Sequence, residues 1–266
     1  MIVIGERINS TRPRISEAIK NRNIAYIARE AKSQADNGAD YIDVNCAMTQ
    51  GDELQDIDWV MSVIQSELKD VNICIDSPNY LAIEKALKSY KGKGSIMINS
   101  ITGEDERIKT IVPLAGEYNA KLVALTMDNK GMPETAEGRR DIAKNILDRV
   151  TKEGFREEDL YFDPLTRPIS TEPKQAHEFL KSIPLIKKLG KVKTVCGLSN
   201  VSFGLPDRGV INSIFLAMAM QAGLDAAILD PTNKHIVSAI AGARALLCED
   251  EYCAGYIKAY REGKLV

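Results

Sequence analysis

Acids and amides stand where short β-branched runs of this sequence end: Glu6 with Arg7, then Asn45, Asp76, Asn99, Met127 with Asp128, Asp163, Asn200 and Asp230. A carboxylate accepts two parallel hydrogen bonds from an amino group and an adjacent ring N–H, while a carboxamide both donates and accepts. The set suits a flat heterocycle that presents several N–H donors beside a carbonyl, each charge-assisted contact contributing about 1.5–3 kcal/mol net. A pterin edge has that pattern, and so has guanine.

Other chemistries lack their residues. A Schiff-base lysine belongs near the carboxyl end of a strand, but Lys121 and Lys193 open their runs. The glycines of 197–209 are interleaved with bulky residues, a weak phosphate loop. Asp76 and Asp163 as a glycosidase pair would want aromatic platforms, and the chain is 6% aromatic with one Trp. His177 and His235 form neither HxH nor HExxH. Of five cysteines, none in a CxxC pair, Cys46, Cys74 and Cys196 lie in or beside apolar runs and read as buried thiols.

The runs that position these side chains are 2–6, 41–45, 72–76, 95–99, 122–127, 160–164, 194–200 and 226–231. Their hydrophobicity is continuous rather than alternating, as in a parallel sheet covered on both faces. Between them lie helical periods: Ile24, Ile27, Ala28 and Ala31 on one face; Leu81, Ile83, Ala86 and Leu87 on another; and 54–69, 105–118, 137–152, 209–223 and 234–248. Pro184 predicts a broken helix, or two short ones, within 173–189. Eight units of roughly 33 residues predict a (β/α)8 TIM barrel. A doubly wound sheet is the rival, but no GxGxxG follows the first run.

In such a barrel the carboxyl ends of the strands build the site. Blander roles compete at each position. Asp76 before Ser77-Pro78 and Asp163 before Pro164 would suit turns, as would Asn99 and Asn200. Asp43 reads first as a buried polar brace, and Glu6 with Arg7 as a structural pair at the rim. The 266 residues, without a shift in composition, read as a single domain over 1–266. Net charge −2 argues against a nucleic-acid or anionic-membrane surface. With no apolar run near 18 residues and no basic leader, a soluble cytoplasmic protein is expected.

The segments IGERIN (4–9), CIDSPN (74–79), MINS (97–100), YFDPL (161–165), GLSNVS (197–202) and FLAMAM with GLDAAI (215–228) occur in the order of a known family. From residue 1 to about 255 the chain resembles the methyltetrahydrofolate:corrinoid protein methyltransferases, whose pterin-binding barrel is similar to that of dihydropteroate synthase. The resemblance implies a pterin-binding (β/α)8 barrel in which Asp76, Asn99 and Asp163 hold the pterin and Asn200 sits beside N5. Glu6, Asn45 and Met127, with Gly197, Ser199, Arg208 and Ile228, complete the expected substrate contacts, and Arg208, Asn212 and Ser199 brace the Asn200 loop. An Asn supplies no proton at neutral pH, so Asn200 is expected to stabilise a protonated N5 through its carbonyl oxygen. The resemblance further implies 5-methyltetrahydrofolate or tetrahydrofolate as substrate, cobalamin carried by a separate corrinoid protein, no metal on this chain, and a homodimer. Phe203 departs from the polar residue of the family pattern. The alternatives are dihydropteroate synthase-like chemistry, which needs cations at the late strand ends, and a non-catalytic folate-binding protein.

Overall fold

Eight runs rich in Ile, Val and Ala become eight parallel strands that close into a barrel in sequential order. In the computed structural model, which describes residues 1–49 and 51–266, β1 (Ile2–Asn9) leads through α1 (Pro13–Lys20) and α2 (Ile24–Asp36) to β2 (Tyr41–Asn45). There follow α3 (Glu53–Glu67), β3 (Ile73–Asp76), α4 (Tyr80–Ser89), β4 (Ile96–Ile101), α5 (Asp105–Glu117) and β5 (Lys121–Leu125). The second half runs α6 (Ala136–Lys152), β6 (Leu160–Asp163), α7 (Gln175–Lys187), β7 (Lys193–Gly197), α8 (Arg208–Ala222), β8 (Ala226–Leu229), α9 (Lys234–Leu246) and α10 (Ala254–Arg261). Among the described residues no helix is long and apolar enough to cross a membrane.

The strands are buried on both faces, so two cores form. Outward side chains such as Ile42, Ile75, Ile98 and Phe162 pack against the helices. Inward ones form a closed interior layer of Ile4, Tyr41, Cys74, Met97, Val123, Tyr161, Val195 and Ala226. Fully burying each large apolar side chain contributes about 1.5–3 kcal/mol, so this layer plugs the barrel and leaves no pore. Below it, Lys121 Nζ donates to Tyr41 Oη at 2.8 Å and Lys193 Nζ to Tyr161 Oη at 3.3 Å. Both lysines stand at the amino ends of their strands, away from the mouth, as expected.

α7 is a continuous helix across Pro184, contrary to the expected break. Pro184 faces solvent, while Phe179, Ile183 and Ile186 are buried. Water can satisfy the carbonyl freed by the missing N–H, and burial of that face outweighs the roughly 3 kcal/mol cost of an interior proline. Pro113 sits the same way on the outer side of α5. Ile24 and Leu81, expected on buried faces, are exposed instead because each lies at its helix's first turn, next to the capping Asn23 and Asn79.

β1 carries a register shift between Gly5 and Ile8. The Arg7 N–H donates to the buried Gln34 of α2 at 2.9 Å. A Cβ on Gly5 would come within 2.4 Å of Gln34 Oε1, so the close approach of α2 to this irregular stretch requires glycine.

Candidate functional site

Side chains on a strand repeat their direction every second residue. Two positions beyond the interior layer, every strand therefore turns another residue inward: Glu6, Asp43, Asp76, Asn99, Leu125, Asp163, Gly197 and Ile228. This second layer is the floor of a cavity of about 600 Å³ at the carboxyl ends of the strands, with Asn9, Thr11, Arg12, Ser199, Asn200 and Arg208 around its mouth. The size suits a small heterocyclic ligand.

Nine of the expected residues meet here: Glu6, Asp76, Asn99, Asp163, Gly197, Ser199, Asn200 and Ile228, and Arg208 at the rim. Two do not line the cavity. β5 ends at Leu125, so the wall position belongs to Leu125, and Met127 lies in the following loop with its carbonyl accepting from Gly103 N at 2.8 Å. Asn45 is one layer too high; its Nδ2 donates to Asp76 Oδ2 at 2.9 Å, and the wall position on β2 is Asp43. Asn9, Thr11 and Arg12 line the mouth as well, though no expectation fell on them: β1 runs on past Glu6 to Asn9, and the IN pair of GERIN, continuing the run, is the signal that marks this.

Glu6 and Arg7 do not pair. Adjacent residues of a strand face opposite ways. Glu6 turns inward and accepts from Ser199 Oγ at 2.7 Å. Arg7 turns outward, with Nε on Glu30 at 2.7 Å and Nη1 on Asp230 at 2.9 Å. The helix cap after β3 is supplied by Asn79, whose side chain accepts from Leu81 N, leaving Asp76 free of that duty.

Asp163 orders its own loop, accepting from Leu165 N at 2.7 Å where Leu165 takes φ +66°. Burial lifts its carboxyl to about 6, against the hold of the Leu165 and Gly197 amides and the charge of Arg139. Burial also raises Glu6, Asp43 and Asp76; the charge of Asp76 adds to the rise at Asp43. Asp43 is 1% exposed, and its Oδ1 has no hydrogen-bond partner among the described residues. A floor of acids lifted this way holds protons to higher pH than free carboxyls do, and it concentrates oxygen acceptors under whatever enters.

Asn200 lies in a short 3-10 turn, Leu198–Ser202, that follows β7. Its residue is exposed at the mouth, and its amide makes no hydrogen bond among the described residues. Gly197 permits this placement: a Cβ there would stand 3.3 Å from Asn200 Nδ2. The turn is held by Arg208, whose Nε donates to Ser202 Oγ at 3.0 Å and whose Nη2 donates to the Ser199 carbonyl. Asn212, expected to share in this bracing, makes no side-chain hydrogen bond to the turn among the described residues, and its buried Oδ1 is unpartnered among them. Phe203 points to solvent, with its carbonyl accepting from Ser170 Oγ at 2.7 Å.

A family model described as pterin binding enzyme matches residues 5–230. The chain is 35% identical over 269 residues to the methylcorrinoid:tetrahydrofolate methyltransferase of Eubacterium limosum, covering 100% of this chain and 98% of that one. It is 31% identical over 243 residues to the methionine synthase of Mycobacterium tuberculosis, covering 86% of this chain and spanning 20% of that longer protein. Among solved structures, a dihydropteroate synthase of Xanthomonas albilineans superposes with a TM-score of 0.70 at 17% identity, covering 92% of each chain. That of Thermus thermophilus gives 0.65 at 19%, covering 82% of this chain and 88% of that one. The structural neighbours share the barrel.

Proposed function

The chain belongs to the pterin-binding enzyme family, among the methyltetrahydrofolate:corrinoid protein methyltransferases, and on that premise we propose that it moves a methyl group between N5 of tetrahydrofolate and a corrinoid carried by a separate protein. The supporting observation is the floor of the cavity: Asp76, Asn99 and Asp163 at one level, with the free amide of Asn200 above. The carboxylates accept the amino and ring N–H groups of the pterin, and Asn99 meets its mixed edge. Leu125 and Ile228 cover the ring's apolar parts.

Breaking the carbon–nitrogen bond leaves its electron pair on N5. As an amide anion N5 would be a poor leaving group; once protonated it departs as a neutral amine. Asn200 Oδ1 accepts a hydrogen bond from that N–H, and the interaction favours the charged form on the reaction path. Glu6, tied to Ser199 beside Asn200, and Asp43 in the same cavity are carboxyls whose burial favours the protonated form. The reverse transfer passes through the same contacts, so one arrangement serves both directions. The corrinoid supplies the cobalt chemistry, and this chain supplies position and field. A homodimer belongs to the same reading: Val210, Ile214 and Met218 expose an apolar stripe along α8 that a second copy would cover. A sedimentation mass of one chain would exclude it.

The deciding experiment mixes the protein, 5-methyltetrahydrofolate and a Co(I) corrinoid protein and follows the absorbance change to methyl-Co(III). Transfer that needs all three components is expected. Turnover of the folate without any corrinoid would overturn the assignment.

A further inference from the structure

The charged side chains of the cavity wall are acidic except at one sector of its mouth, where among the described lining residues Arg12 and Arg208 are the two cations. Neither is in an ion pair among the described residues; Arg12 follows β1 and Arg208 follows β7, the two strands that flank β8, which places them over the same side of the barrel. Arg208 is anchored to the Asn200 turn through Ser202 and the Ser199 carbonyl. Arg12 is anchored through its backbone. Asn9 Oδ1 accepts from Thr11 N at 2.9 Å and Thr11 Oγ1 at 2.7 Å, and Arg12 N donates to the Asn9 carbonyl at 3.0 Å. Pro13 then starts α1, so the chain leaves Arg12 in one direction only. The guanidinium of Arg12 itself makes no hydrogen bond among the described residues.

We propose that Arg12, with Arg208 beside it, binds the carboxylates of the glutamyl tail of folate, so that the enzyme recognises the tail as well as the pterin. The inference rests on the functional reading above and extends it. In tetrahydrofolate the tail leaves from C6, the carbon bonded to N5. If the amino and N3 edge lies on Asp76, Asn99 and Asp163, and N5 lies at Asn200, the tail must pass out over the Asn200 turn. That is the sector where the two arginines stand. A guanidinium fork matches a carboxylate with two parallel hydrogen bonds, and an unpaired one has no internal bond to break first. The acids of the floor would repel these same carboxylates, so the charge pattern also sets which end of the ligand enters.

Equilibrium binding to the whole chain separates the possibilities, using 5-methyltetrahydrofolate, its triglutamate, and a tetrahydropterin methylated at N5 and C6 that has no tail. The wild type is expected to prefer both folates to the tail-less pterin by roughly tenfold, less at high salt. Arg12→Ala should remove most of that preference while leaving the tail-less pterin within about twofold; Arg12→Lys should restore part of it. Equal wild-type affinities for folate and tail-less pterin would sink this inference and leave the pterin pocket standing. Equal weakening of all three ligands in Arg12→Ala, or no change in any, would overturn it too. So would an effect seen only when the corrinoid protein is present, which would move Arg12 to the partner's docking surface. If the wild type binds none of the three, the functional reading itself has failed and this one falls with it.

Discussion

Acidification should weaken pterin binding through Asp163, and the size of the effect follows from its surroundings. Burial lifts this carboxyl to about 6. Only the carboxylate accepts both N–H donors of the pterin edge, so the apparent Kd is the intrinsic one divided by the ionised fraction. That fraction is about one half at pH 6 and about one tenth at pH 5, so affinity should be close to flat above pH 7 and fall about tenfold by pH 5. Titration calorimetry with 5-methyltetrahydrofolate from pH 5 to 8 measures it. Asp163→Asn should bind about 2–3 kcal/mol more weakly at pH 8, with an unfavourable donor facing the ligand, and should show a shallower decline, keeping only the part due to the other buried acids such as Asp76. Folding stability runs the other way. The folded state holds its proton more tightly than the unfolded chain, so between about 3.8 and 6 the Asp163 contribution shrinks as pH rises. An acid-side decline of equal slope in wild type and Asp163→Asn would refute the assignment of this group.

Asn200→Ala should leave folate affinity within several-fold and slow methyl transfer by about 10²-fold, the usual effect of one lost preorganised polar group; single-turnover kinetics with binding measured separately decide it, and an unchanged rate removes Asn200 from the mechanism. Gly197→Ala should press the Asn200 amide out of place, since the new Cβ stands 3.3 Å from Nδ2. The expected result is a transfer rate down about tenfold with Kd little changed, and a normal rate would show that the turn absorbs the methyl group. Gly5→Ala should lower stability by about 2–4 kcal/mol, as the Cβ displaces Gln34 and strands the Arg7 N–H; an unaltered urea midpoint would contradict the packing described for β1.

The barrel was legible because burial on both faces leaves a mark in each strand, a continuous apolar run closed by a polar residue. The site was legible one layer at a time. Asp76 and Asn99 close their runs, Asp163 is the last residue of its run before Pro164, and all three lie two steps above the interior layer, so either rule finds them. On β2 and β5 the rules disagree: the run of β2 ends at Asn45 and the apolar run at β5 continues to Met127, whereas the two-residue period points to Asp43 and Leu125. Counting from Tyr41 and Val123 would have corrected both. Arg12 was hidden for a different reason, since its place depends on the turn that Asn9 makes, and no periodicity marks it. Pro184 misled because proline disfavours a helix by a local cost, while the decision was made by the apolar face opposite.

The ties that shape the mouth join distant parts of the chain. Arg7 reaches Asp230, Glu6 reaches Ser199, and β1 pairs with β8 along Ile2 to Gly5. During synthesis the first strand must therefore wait, its edge unpaired, until almost the whole barrel has emerged. A partly made chain already holds Glu6, Asp43, Asp76 and Asn99, yet has no seam to turn them into a vessel. Competence should arrive in a single step with the last strand, and amide protons of β1 and β8 should gain protection from exchange together during refolding. Protection of β1 well ahead of β8 would show that the first strand finds order without its latest neighbour.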